Sequence, residues 1–147
     1  MSKVQMLCHI IISTYHRQMT IDSAHEEDLY RYIWKYLNNQ GCILHQIGGI
    51  GNHIHLLVNI NPSISVSDLV KGLKQASNLW IKSSGLFPMF DRWGREYASF
   101  SCSYSSKERV ISYIKNQKQH HQKKSFQEEL KEIFGKCDLD YHESDLS

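Results

Sequence analysis

Three features of the sequence predict an α+β protein of the ferredoxin-like (RRM-like) kind, an antiparallel sheet with helices on one face. Hydrophobic spacing switches between strand and helix periods in the order strand, helix, strand, strand, helix, strand, with a further helix at the end. The chain has 147 residues and only two prolines, enough for one compact domain with a sizeable core. Hydrophobic residues make up 41% and charged residues 22%, which excludes a disordered or fibrous chain.

The first strand is expected over Val4 to Thr14, where Ile10, Ile11 and Ile12 sit among alternating neighbours before the polar Tyr15-His16-Arg17-Gln18 run. A helix follows. Ser23 is placed to cap it with Glu26 three residues on, and Leu29, Ile33, Trp34 and Leu37 recur at helical spacing until Gly41. Cys42 to Ile47 and His53 to Ile60 read as a hairpin joined by a turn at Gly48-Gly49-Ile50-Gly51-Asn52. After Asn61-Pro62 a second helix starts at Ser65 or Ser67 and runs to Ser83-Ser84-Gly85, with Leu69, Val70, Leu73, Leu79, Trp80 and Ile81 at its apolar positions. Tyr97 to Tyr104 alternates as a fourth strand, and Lys107 to about His121 forms a third helix entered from Ser105-Ser106.

No apolar stretch approaches the ~20 residues of a membrane span, and the start, Met1 to Gln5, lacks signal-peptide architecture, so a cytoplasmic protein is expected. Cys8, Cys42, Cys102 and Cys137 form no C-x-x-C pair, which excludes a zinc ribbon and a dithiol redox site. The net charge of +2 conceals an asymmetry. Six basic residues face one acid between Lys107 and Lys124, whereas seven acids face two lysines from Ser125 to Ser147. The single domain, residues 1–147, is therefore read as a core of about 4–124 followed by an acidic tail of about 125–147.

Side chains alternate across a strand, so the third strand can be written as two faces. Ile54, Leu56, Val58 and Ile60 form a wholly apolar face that belongs beneath the helices. His53, His55, Leu57 and Asn59 form the other, with two imidazoles at i and i+2, about 7 Å apart along the strand and within reach of one ion. The spacing alone is equally compatible with two histidines facing solvent. On the third helix Tyr113 and Gln117 are four residues apart and share a face, a pattern that an ordinary packed pair would also produce. Together these residues make a coherent chemistry, with a tyrosine nucleophile, a metal held by His53 and His55, and the Gln117 carbonyl as third ligand.

Asn52-His53-Ile54-His55-Leu56-Leu57-Val58 resembles the HUH motif, and Tyr113-Ile114-Lys115-Asn116-Gln117 resembles the partner motif of single-tyrosine HUH transposases. These are small IS200-like proteins of bacterial insertion sequences, including the REP-associated tyrosine transposases. Trp93, Tyr97, Phe100 and Ser101 ahead of the tyrosine, and His120-His121 and Phe126-Gln127-Glu128-Glu129 after it, extend the likeness over roughly residues 4 to 130. The resemblance implies a ferredoxin-like DNA transposase that cuts and rejoins single-stranded DNA through a 5′-phosphotyrosine, without ATP. It also implies a bacterial cytoplasmic homodimer whose tyrosine helix often completes the partner's site, DNA partners with hairpin ends, and Mg2+ or Mn2+ as cofactor. Carried over by position, Tyr113 is the nucleophile and His53, His55 and Gln117 are the metal ligands.

The chain departs from the family pattern at Asn52, where Asp is common; Asn can hydrogen-bond but supplies no charge. Arg17, Lys71, Lys74, Lys115 and Lys118 are the candidate DNA contacts, through phosphate neutralisation. Trp93 and Tyr97 are candidates for stacking on bases or for the core, His9 for a merely packed histidine or for a place near the His-x-His pair, and His120 and His121 for a favourable helix end. The competing readings are a non-catalytic single-stranded nucleic-acid binding module, a domesticated relative that nicks and joins without mobilising its own gene, and a metal-dependent hydrolase that uses water.

Overall fold

The computed structural model describes residues 2–147; Met1 lies outside the described residues. Four strands, β1 (Leu7–Ser13), β2 (Ile43–Ile50), β3 (His53–Asn59) and β4 (Ala98–Ser101), form one sheet in the order β2-β3-β1-β4 with every neighbouring pair antiparallel. Two helices, α1 (Glu26–Asn39) and α2 (Val66–Ser84), fill the crossovers and complete the ferredoxin-like unit. The remaining helices are α3 (Lys107–Lys115), α4 (Gln117–His120) and α5 (Phe126–Lys136).

The period-two reading of β3 holds. Ile54, Leu56 and Val58 join Ile10 and Ile12 of β1 beneath α1 and α2, where Leu29, Ile33, Leu37, Leu69, Val70, Leu73 and Ile81 close the main core. Ser65 caps α2 through Asp68 N, and Gly85 ends it with a left-handed φ of 70°. Trp93 and Tyr97 belong to this core, and the indole of Trp93 donates to Ser77 Oγ. They are packing residues rather than a stacking platform.

The second face of the sheet is not left open. Ile11 and Ala98 pack against Phe126, Leu130, Phe134 and Leu146, while Leu7 and Leu57 pack against Ile114. The acidic stretch after Ser125 thus contains a helix with a buried apolar stripe. A capping box between Ser125 and Glu128 starts it.

Three local expectations are corrected. Ser23 does not cap α1, because residues 23–25 form a turn and the helix begins at Glu26 with no side-chain cap. β2 runs on to Ile50, so the reversal is only Gly51-Asn52. Gly48 sits inside the strand because α3 crosses there, and a Cβ at that position would lie 2.5 Å from the Ile114 carbonyl oxygen. The third helix is interrupted at Asn116 (φ −98°, ψ 20°) instead of running unbroken to His121.

Candidate active site

β3 presents His53 and His55 on the α3–α5 side of the sheet, both fully buried. The break at Asn116 turns Gln117 inward, to 1% exposure, so that its Oε1 lies 3.1 Å from His53 Nε2. Tyr113 reaches the same place from the last turn of α3, its ring 5.7 Å from that of His55. All four residues inferred from the sequence therefore converge within one chain.

Glu129, from α5, occupies the middle of the cluster and was given no role by sequence reasoning. Its Oε1 lies 3.2 Å from His53 Nε2, 3.3 Å from His55 Nε2 and 3.0 Å from His121 Nε2. Its Oε2 accepts from the Tyr113 hydroxyl and, at 2.9 Å, from Gln117 Nε2. A sequence signal existed: Phe126, Leu130, Ile133 and Phe134 mark one apolar face of a helix, and Glu129 lies on it three residues from Phe126.

Both motif histidines are oriented by partners on the ring nitrogen away from the cluster. His53 Nδ1 lies 2.8 Å from Asn52 Oδ1, and His55 Nδ1 lies 2.8 Å from His9 Nε2. Were an ion bound, each Nδ1–H would donate to these acceptors and leave both Nε2 lone pairs to the metal, whereas without one the Nε2–H groups donate to the Glu129 carboxylate. Asn52 thus performs the orienting task of the commoner Asp without its charge. Phe126, itself buried, stacks on His53 with centroids 3.9 Å apart and fixes the ring.

Burial governs the protonation states. It lowers His53 to about 4 and His9 to about 3, against the opposing pull of Glu129, so both imidazoles are neutral. Burial pushes the Glu129 carboxyl up, but hydrogen bonds from His121, His53 and His55 outweigh it and hold the group well below the carboxylate range. The Tyr113 phenol is raised well above its ordinary value, first by burial and then by the Glu129 charge. Resting Tyr113 is therefore protonated and needs help to become a nucleophile.

A divalent ion fits this donor set. His53, His55 and Glu129 offer three ligand atoms within 4.8 Å of one another, and Gln117 Oε1 is beside them. Adjacent ligands on an octahedral ion lie about 3 Å apart, close to the 3.1–3.3 Å separations that involve Gln117 and Glu129. An open depression of about 610 Å³, lined by Tyr113, Asn116, Gln119, His120, Gln122 and Lys123, gives access from solvent.

The candidate DNA contacts do not gather around this site. Lys74 is corrected to a structural tether: its ammonium donates to Gly94 O at 2.8 Å and Glu96 O at 2.7 Å, and burial lowers it to about 8. Lys71 is exposed on the same helix, across the sheet from the histidines. Lys118 pairs with Glu26 and donates to Gly49 O, and Arg17 donates to Glu143 O and Asp145 O, so both have internal partners. Lys115 is exposed at the end of α3. His120 and His121, which a favourable helix end would explain, both point at Glu129.

A profile described as "Transposase IS200 like" matches residues 2–117, which places the protein among transposases, enzymes that process DNA. The chain belongs to the IS200-like transposase family. The match ends at Gln117, so Glu129 lies beyond it. A candidate transposase from Deinococcus radiodurans R1 has a similar structure, at 22% identity and a TM-score of 0.63 over 79% of this chain and 93% of that one. A REP-associated tyrosine transposase bound to a REP hairpin is also similar, at 11% identity and a TM-score of 0.62 over 82% of this chain and 74% of the other. These two likenesses concern the fold. No curated protein matches the chain. No helix among the described residues is long and apolar enough to cross a membrane.

Proposed function

We propose that this transposase cuts and rejoins single-stranded DNA by metal-assisted transesterification, with Tyr113 as nucleophile. The observation that carries the reading is the Tyr113 hydroxyl hydrogen-bonded to the carboxylate that also faces both motif histidines. Tyr113 Oη bonds to the phosphorus of a phosphodiester and the bond from phosphorus to the 3′ oxygen breaks. The phenol proton, donated in the resting protein to Glu129 Oε2, ends on the departing 3′ oxygen. The 5′ side remains as a phosphotyrosine, and attack by a 3′ hydroxyl reverses the step, so no ATP is needed.

A divalent ion, Mg2+ or Mn2+, when held by His53, His55, Gln117 and Glu129, supplies positive charge that polarises the phosphate and offsets the charge developing on it. His9 and Asn52 keep the ligating nitrogens turned inward, and Phe126 limits water at His53. Single-stranded DNA with hairpin ends is the substrate we assign, and a homodimer the assembly. Lys123, which lines the depression beside Tyr113, and Lys115, exposed at the end of α3, are the cations we assign to the phosphate backbone. Tyr113 reaches the histidines of its own chain, so each subunit of such a dimer would contain a complete site.

The test is a denaturing gel of protein incubated with 5′- and 3′-labelled single-stranded hairpin DNA from the regions flanking the gene, with and without Mn2+. A protease-sensitive adduct carrying the 5′ side of the cut, abolished in Tyr113→Phe, is expected. Cleavage that persists in Tyr113→Phe would point to a hydrolase using water. Binding without cleavage would point to a non-catalytic module.

A further inference from the structure

We propose that the cleft between the β2–β3 turn and the loop before α1 takes one unpaired guanine of the bound strand, read by Glu26 and Lys118. The strand is the single-stranded substrate of the proposed transesterase, on which the assignment rests. The cleft has a volume of about 580 Å³, as small-ligand sites do, and shares no lining residue with the depression beside Tyr113. Its walls are apolar. Phe87 and Ile21 are buried, whereas Met19 and Met89 line it while standing 66% and 75% exposed. Thioethers are flexible and polarisable, and they make favourable contacts with flat aromatic rings.

The polar end of the cleft is a charge pair with capacity to spare. The Glu26 carboxylate, only 11% exposed, lies 2.5 Å from Lys118 Nζ. Lys118 has three N–H donors and uses two, on Glu26 Oε1 and, at 3.2 Å, on Gly49 O. The carboxylate has about four acceptor positions and uses two, for Lys118 and for the Tyr30 hydroxyl, 3.4 Å from Oε2. A free donor therefore stands next to free acceptors. The Watson–Crick edge of guanine is the complement, a carbonyl oxygen for the ammonium followed by two N–H groups for the carboxylate. Adenine and cytosine each set a ring nitrogen lone pair against the carboxylate, and thymine has only one N–H. Asp22 also lines the cleft, so two acids stand against one lysine, a balance that favours N–H donors and excludes a phosphate.

The chain itself joins this cleft to the metal site. Lys118 follows Gln117, and Ile50 and Gly51 lead through Asn52 into His53. Gly51 O accepts from Thr20 N and Ile21 N, both at 2.9 Å, which ties the cleft wall to the turn. A base held here would anchor the strand against the two segments that carry His53 and Gln117, and so set which phosphate reaches Tyr113.

The test is fluorescence anisotropy of the full chain with labelled single strands of about 12 nucleotides, with a chelator present so that no cleavage intervenes. An adenine strand with one central guanine should bind about tenfold more tightly than the all-adenine strand. Central hypoxanthine, which lacks the 2-amino group, should fall between the two. Glu26→Gln should abolish the preference, because its amide sets N–H against N–H. Met89→Ala, at an exposed position that the fold does not depend on, should reduce the preference about threefold. Equal affinities for the guanine and adenine strands, or a preference that persists in Glu26→Gln, overturns the proposal. Guanosine monophosphate that displaces the guanine strand at equal concentration would assign the cleft to a free nucleotide and overturn it too. The DNA gel separates the two readings. An adduct without guanine preference would retain the transesterase and sink the cleft, whereas guanine preference without an adduct would do the reverse.

Discussion

Asn52 and His9 contact the ring nitrogens of His53 and His55 that face away from Glu129. With a metal bound each accepts from Nδ1–H, so the charge of the orienting group is a second control on ligand strength. Asn52→Asp should tighten Mn2+ binding about tenfold, because a carboxylate on Nδ1–H makes the opposite nitrogen a better donor; unchanged affinity in a calorimetric titration would refute this. The neutral histidines also set a pH dependence. Since His9 and His53 are lowered to about 3 and about 4 in the folded chain, the unfolded chain binds more protons between those values and 6.5. Their contribution is complete above pH 6.5 and is lost as pH falls, at about 1.4 kcal/mol per pH unit for each histidine. Urea denaturation of the metal-free protein at pH 7, 6 and 5 should show stability falling in that order; a flat profile would contradict the buried, neutral assignment.

Elements meet at this site through two devices that differ in how well the sequence displays them. The first is the close crossing of α3 over β2 at Gly48. A turn-like run of glycines concealed it, because glycine serves both for reversal and for close approach, and only the position of Ile114 distinguishes the two. Gly48→Ala should displace α3 and with it Tyr113, lowering adduct formation tenfold or more and costing roughly 1–3 kcal/mol of stability. A fully active variant would show that the crossing has slack. The second device, the Ser125–Glu128 capping box, is readable from spacing alone once the apolar face of α5 is noticed. Ser125→Ala should cost about 1 kcal/mol in a thermal melt, and an unshifted midpoint would mean that packing of Phe126 and Leu130 holds α5 without the cap.

At the scale of the whole molecule, the C-terminal stretch is what turns an open sheet into a closed site. Ending the chain after Lys124 would remove Glu129 and uncover Ile11 and Ala98. Such a truncation should lose Mn2+ binding and gain binding of a hydrophobic dye, and a truncated chain that kept its metal would show that His53, His55 and Gln117 suffice. The sequence by itself determined the order of the four strands and of α1, α2 and α3, and the apolar and imidazole faces of β3. Those are properties of period and spacing within single elements, and they require no knowledge of what lies across the fold. The choice of Glu129, the orienting role of His9 and the engagement of Lys74 and Arg17 were decided only by tertiary structure. Glu129 is 74 residues from His55 and His9 is 46. Nothing local marks a contact at such separation; it exists because β1 and β3 are neighbours in the sheet and α5 packs across them, where burial removes water and leaves each polar group to find its partner in the protein.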